Sequence, residues 1–287
     1  MSHPALPEEP TLLLTGAHTV LGQALAERLA SHGARLVLVG AGDMRLLEAA
    51  ARQLAARHPG LDCRAFGCDP AHAGDLANLM RRVRVELPGV DLWAHVAGSG
   101  GVPGTLGEGS WEPYELHLQA EVRALTRLAH AWVGGMQARG RGGFLWLGGA
   151  AGQWPLFGGP LQVAGRRYLN GLADGLRSRL LGSGVQVTEV IHGPTTHDAM
   201  VEAAAGGAPR PALRWALSPE EIAAQSVEGF LRGREQVIPG FAFRQALRIA
   251  RLLPPRVRWT LEGMGRRRRP RAPLTEPRAV LTPPLLH

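Results

Sequence analysis

Short apolar runs alternate with stretches of helical period along most of the chain. Residues 12–14, 36–39, 63–67, 91–96, 144–147 and 185–191 read as strands. Between them, residues 21–31, 44–57, 76–86, 111–137 and 161–181 repeat apolar positions at three- and four-residue spacing and read as helices. Strands that alternate with helices predict βαβ units, and therefore a doubly wound α/β fold with a parallel sheet of Rossmann type. Ser218-Pro-Glu-Glu221 has the form of a helix start: Ser caps, Pro occupies the first turn and Glu lies three residues on. Residues 203–211, rich in Ala, Gly and Pro, read as a loop. One domain is expected over 1–240. A basic amphipathic segment over 241–265 follows, then an Arg- and Pro-rich tail over 266–287 expected to be disordered.

Composition narrows the class. With 45% hydrophobic and 20% charged residues in 287, the chain reads as a soluble globular protein. Residues 1–10 carry Glu8 and Glu9 and no apolar core, so no secretory leader is expected. Cys63 and Cys68 are the only cysteines, which suits a reducing, cytoplasmic compartment, and with no histidine nearby at ligand spacing they suggest no metal site. Residues 142–165 lack charge, but their glycines, two prolines, Gln153 and Gln162 fit a strand and loop better than a membrane span.

Charge is uneven. The net charge is +8, yet residues 241–287 hold eleven arginines against Glu262 and Glu276, which leaves the body near neutral. In this basic segment Phe243, Leu247, Ala250 and Leu253 fall at helical spacing, with Arg244, Arg248 and Arg251 on adjoining faces. Packing on the domain or a partner subunit is the first expectation, and an anionic membrane surface the second. Arg266–Arg269 alone, without aromatics or a binding fold, is a poor case for nucleic acid.

Candidate chemistry begins at Thr15-Gly-Ala-His-Thr-Val-Leu-Gly22, between the first strand and first helix. A tight turn there presents backbone N–H groups and a helix N-terminus to a pyrophosphate. With Asp69, His95-Val-Ala-Gly98 and His192-Gly193-Pro194 in order, the chain resembles the short-chain dehydrogenase/reductase family over about residues 11–198 and more weakly to 240. The resemblance implies NAD or NADP as cofactor, held by Thr15, Gly16, His18, Leu21, Gly22, Asp69, Ala97, Gly98, Arg166 and Gly193. It also shows departures. Val20 stands at the middle glycine of the turn, where its branched side chain would crowd the phosphates. His95 replaces an Asn and reads as packing on the adenosine side. Near Ala41, with Asp43 two residues on, neither the Asp typical for NAD nor the Arg typical for NADP is found.

The catalytic segment departs further. The resemblance carries the family's Ser to Gly149, its Tyr to Gln162 and its Lys to Arg166, and the supporting Asn of the preceding helix to Leu118 or Gln119. The chain contains no lysine at all, so no shift of register restores a Tyr-x-x-x-Lys pair. Carbonyl reduction needs a hydride and a proton, and a tyrosine acidified by a nearby ammonium supplies the proton. A Gln amide donates hydrogen bonds but exchanges no proton near pH 7, and an arginine stays charged. Tyr168, six residues past Gln162, faces elsewhere on the helix. His192 and His197 flank the Pro-Gly-like motif and are the substitutes with suitable chemistry, against a plain reading as solvated loop histidines. Trp154 and Phe157 would line or plug the substrate pocket.

Three functions are therefore expected in order: an oxidoreductase homologue without the standard chemistry, a working oxidoreductase with another proton donor, or a peripheral membrane or scaffold protein. The resemblance implies a homodimer or homotetramer through 111–137 and 161–181, or pairing with an active relative.

Overall fold

The computed structural model describes residues 6–98, 106–107, 109–150, 159–198, 200, 214–254, 256–257 and 260. Seven parallel strands form one sheet in the order β3-β2-β1-β4-β5-β6-β7. They are β1 (Thr11–Thr15), β2 (Arg35–Gly40), β3 (Asp62–Gly67), β4 (Leu92–Val96), β5 (Gly142–Gly149), β6 (Val185–His192) and β7 (Gln236–Val237). The helices are α1 (Val20–Ala30), α2 (Met44–Arg57), α3 (Ala73–Glu86), α4 (Glu112–Leu118), α5 (Leu125–Ala138), α6 (Pro160–Leu180), α7 (Pro219–Leu231) and α8 (Phe241–Leu252). The doubly wound α/β architecture expected from the alternation is present. The short edge strand β7 escaped the reading because two residues carry no periodicity.

Strands buried on both faces explain the unbroken apolar runs. In β1, Leu12 and Leu14 face the layer of α1, α2 and α7, while Leu13 faces the layer of α3, α5 and α6. On that second face Trp93, Phe144 and Trp146 meet edge to face, with centroids 5.4–5.9 Å apart. Each such fully buried ring stabilises the fold by about 2–3 kcal/mol. The predicted start of α7 is a complete capping box: Ser218 Oγ accepts from Glu221 N, and the Glu221 carboxylate accepts from Ser218 N.

Two sequence readings change in detail. The stretch 111–137 is not one regular helix: Gln119–Ala124, between α4 and α5, is wound as a π-helix. α8 lies on the end of the sheet, where Phe243 and Leu247 pack with Ala150 and Ile191. The inner face of α8 is thus buried on the domain, as the first expectation for this segment had it. Among the described residues no helix is long and apolar enough to cross a membrane. Trp154, Phe157, the 203–211 loop and the 266–287 tail lie outside the described residues.

Candidate functional site

The strand order reverses direction between β1 and β4, and an open α/β sheet offers a crevice beyond the strand ends at such a point. The segments singled out in the sequence emerge there, after β1, β4, β5 and β6. The turn after β1 depends on two glycines. Gly16 has φ +82°, and a Cβ on it would lie 2.3 Å from the Val96 carbonyl oxygen. A Cβ on Gly22 would lie 2.1 Å from the Gly16 carbonyl oxygen. Any side chain at either position forces the backbone apart. Thr19 Oγ1 locks the turn, donating to Gly16 O and accepting from Gly22 N, both at 2.9 Å. As the first two helical residues, Val20 and Leu21 have N–H groups with no intrahelical acceptor, the arrangement that favours an anion. Among the described residues none other than glycine has positive φ, and Val20 adopts ordinary helical backbone. The crowding expected of it is confined to its half-buried side chain.

The neighbouring polar groups are partly committed. Asp43 caps α2, accepting from Arg45 N at 2.9 Å. His18 Nδ1 accepts a long bond from Ala41 N at 3.4 Å. Asp69 accepts from Ala71 N at 2.9 Å and faces His72 Nδ1 at 3.1 Å. A cleft of about 120 Å³ runs from the turn between α1 and α2, lined by His18, Asp43 and Arg57 among others; none of its lining belongs to the catalytic segment.

His95 sits behind the turn, its Nδ1 2.8 Å from Thr15 Oγ1, which also accepts from Trp93 Nε1 at 3.0 Å. Burial pushes its pKa down to about 4, with Glu121 opposing and Arg166 adding to the shift. The ring is therefore neutral near pH 7. Packing is a fair description of it, but its charged neighbours put it with the catalytic segment and not on the adenosine side.

In that segment Arg166, the position to which the resemblance carries the family's lysine, forms a structural lock. Arg166 is buried; its Nη1 donates to Glu121 Oε2 at 2.9 Å and its Nη2 to Gly98 O at 2.7 Å. Gly148 makes room, since a Cβ there would stand 3.3 Å from Arg166 Cδ. The Gly98 carbonyl, expected on the cofactor side, is thus tied to Arg166, while Ala97 N donates to Leu147 O at 2.9 Å. The helix partner was expected at Leu118 or Gln119. Gln119 instead bonds Glu115 and Arg123, each at 3.3 Å, and Glu121 meets the arginine. The π-helix explains the miss: its wider turn breaks the 3.6-residue phase on which the reading relied. His117, also unanticipated, is drawn in beside Glu121, and among the described residues its buried Nε2 has no hydrogen-bond partner. Burial lowers its pKa.

Gln162 occupies the first turn of α6, one turn before Arg166. Tyr168 bonds Thr126 of α5, away from Gln162, as the helical angle required. Gly149 ends β5 in register with His192 of β6, and a Cβ on Gly149 would lie 3.9 Å from His192 Cε1. The imidazole therefore borders the space a serine would fill. His192 Nδ1 lies 2.8 Å from Gly193 O; a carbonyl only accepts, so Nδ1 carries the hydrogen and Nε2 the lone pair. Burial lowers this pKa as well. Gly193 is needed for close approach of α8, where a Cβ would stand 3.0 Å from Phe243. His197 lies between Thr195 and Asp198, which exchange reciprocal bonds, on the first turn of a short helix.

Comparison with known proteins agrees with this architecture. The short chain dehydrogenase family model matches residues 10–206. A sulfoacetaldehyde reductase of Chromohalobacter salexigens is 30% identical over 223 residues, 75% of this chain and 85% of its own length. An NADP-dependent 3-hydroxy acid dehydrogenase of Salmonella typhi is 25% identical over 179 residues, 62% of this chain and 70% of its own. Among solved structures, a short-chain dehydrogenase from Sphingobium yanoikuyae in complex with NADPH superposes with a TM-score of 0.70 and 29% identity, over 84% of this chain and 93% of the other.

Proposed function

The chain belongs to the short-chain dehydrogenase family, and on that premise we propose that it binds NAD or NADP but has lost the family's standard proton transfer. For binding, the support is the Gly16–Gly22 turn with the N–H groups of Val20 and Leu21 directed outward, together with relatives and neighbours whose own names carry NADP or NADPH. A bound nicotinamide would supply hydride transfer. Thr15, Gly16, Leu21 and Gly22 would hold its pyrophosphate, and Asp69 the adenine. For lost chemistry, the carrying observation is Arg166: a guanidinium fixed between Glu121 and Gly98 stands one turn from an amide, Gln162, that has no proton to give. The exposed side of the α4–α5 stretch, with Trp111 and Leu116, is the surface we assign to a second copy or an active relative.

Thermal-shift titration with NAD⁺, NADH, NADP⁺ and NADPH, paired with NAD(P)H turnover on aldehydes, ketones and hydroxy acids, tests this. A stabilising shift with at least one dinucleotide and no turnover is expected. At a hundredfold excess over Kd the gain is about 2.7 kcal/mol. No shift with any of the four removes the binding reading; steady turnover removes the silent one.

One observation favours a second reading. The Nε2 lone pair of His192, beside Gly149, can take the proton of an alcohol while its hydride leaves for the nicotinamide. Burial lowers the pKa of His192 and so favours the neutral ring, the form that can accept this proton. Alcohol oxidation lost in His192→Ala, and kept in His197→Ala, would support it.

A further inference from the structure

α8 has two apolar sides. Its inner side, Phe243 and Leu247, is fixed against the sheet. The outer side presents Phe241, Ile249 and Leu252, which are 70%, 63% and 84% exposed. At about 100° per residue these three fall within about 80° of one another, opposite the buried face. Because the inner face is packed, the helix cannot roll to hide them. Arg248 borders this stripe and Arg244 lies further round the same edge; among the described residues neither has a carboxylate partner. The sequence from 236 to 260 has no Asp or Glu, and the arginine-rich 266–287 continues the same charge.

We propose that the outward face of α8 docks the protein onto the surface of an anionic lipid bilayer. An apolar stripe edged by arginines matches the interface of such a bilayer: the side chains enter the acyl boundary while the guanidinium groups meet phosphate and carboxylate headgroups. Self-association through the same face fits less well. A two-fold contact would bring each arginine edge against its own copy, with no acid in the segment to relieve the repulsion.

Sedimentation of the full-length protein with vesicles tests it, using phosphatidylcholine alone and with about 30% phosphatidylserine. Binding is expected only with phosphatidylserine, and should weaken steeply with salt. Ile249→Glu with Leu252→Glu should lower partitioning at least about tenfold. Arg244→Gln with Arg248→Gln should lower it by a similar factor. Arg248, Ile249 and Leu252 are exposed and Arg244 is half-buried, and unchanged circular dichroism shows that each variant is folded. Absence of binding by the parent protein overturns the proposal. Binding undiminished in the Glu variant also overturns it, and assigns adsorption to the arginine tail. A change of oligomeric state in the Glu variant, without vesicle binding by the parent, makes the face a contact between copies.

Discussion

The turn after β1 and the segment around Arg166 face the same crevice but place different demands on the sequence. The turn works largely through its backbone: Gly16 and Gly22 are fixed by contacts of 2.3 and 2.1 Å that any Cβ would make, with the Thr19 hydroxyl bridging them, and the half-buried Val20 side chain takes no part. Hence Val20 is tolerated. The Arg166 segment works through side-chain identity: a buried ion pair with Glu121 joins α6 to the π-helix, and a second bond ties Arg166 to the Gly98 carbonyl after β4.

The largest effect that would break this contrast is at Glu121. Glu121→Ala leaves the Arg166 guanidinium buried without its carboxylate, and is expected to cost about 3–5 kcal/mol in denaturant unfolding. A loss under about 1 kcal/mol would mean that the pair is incidental. Gly22→Ala should cost about 3 kcal/mol and abolish dinucleotide-induced stabilisation, since the new methyl collides with Gly16 O. Retained binding in that variant would show that the turn is not the cradle.

His95 gives a pH-dependent test. Its folded pKa of about 4 lies below the ordinary 6.5, so the unfolded chain takes the proton first. Stability is full above about pH 6.5 and drains as pH falls towards 4. His95→Asn should remove that dependence, a relative gain of up to about 3 kcal/mol at pH 4 in paired unfolding curves. Equal acid sensitivity in both proteins would sink it. The smallest effect is expected at Gly149→Ser. Among the described residues a Cβ there meets nothing nearer than 3.9 Å, so stability should change by less than about 1 kcal/mol, and on the proposed reading no turnover is expected, because the Gln162 amide offers no acidic proton.

Much of the fold was legible because apolar runs buried on both faces announce parallel strands, and Ser218 with Glu221 announced a cap. The glycine turn was legible for the same reason, since its requirement is local. The Arg166 partnership was not. Glu121 lies 45 residues away, and its helix leaves regular phase immediately before it. The register of Gly149 with His192 likewise belongs to the sheet, not to any segment of sequence.

The Arg166 bridge also says something about the order in which the molecule is made. It joins positions 45 and 68 residues apart, and it needs α6 seated on β5 and the loop after β4 closed. Contacts of such sequence separation carry a large loop-closure cost and are made late on the route to the native state. Weakening the bridge should therefore leave refolding nearly as fast as before and appear as faster unfolding. Arg166 would then act as a latch on the finished protein, governing its lifetime more than its assembly.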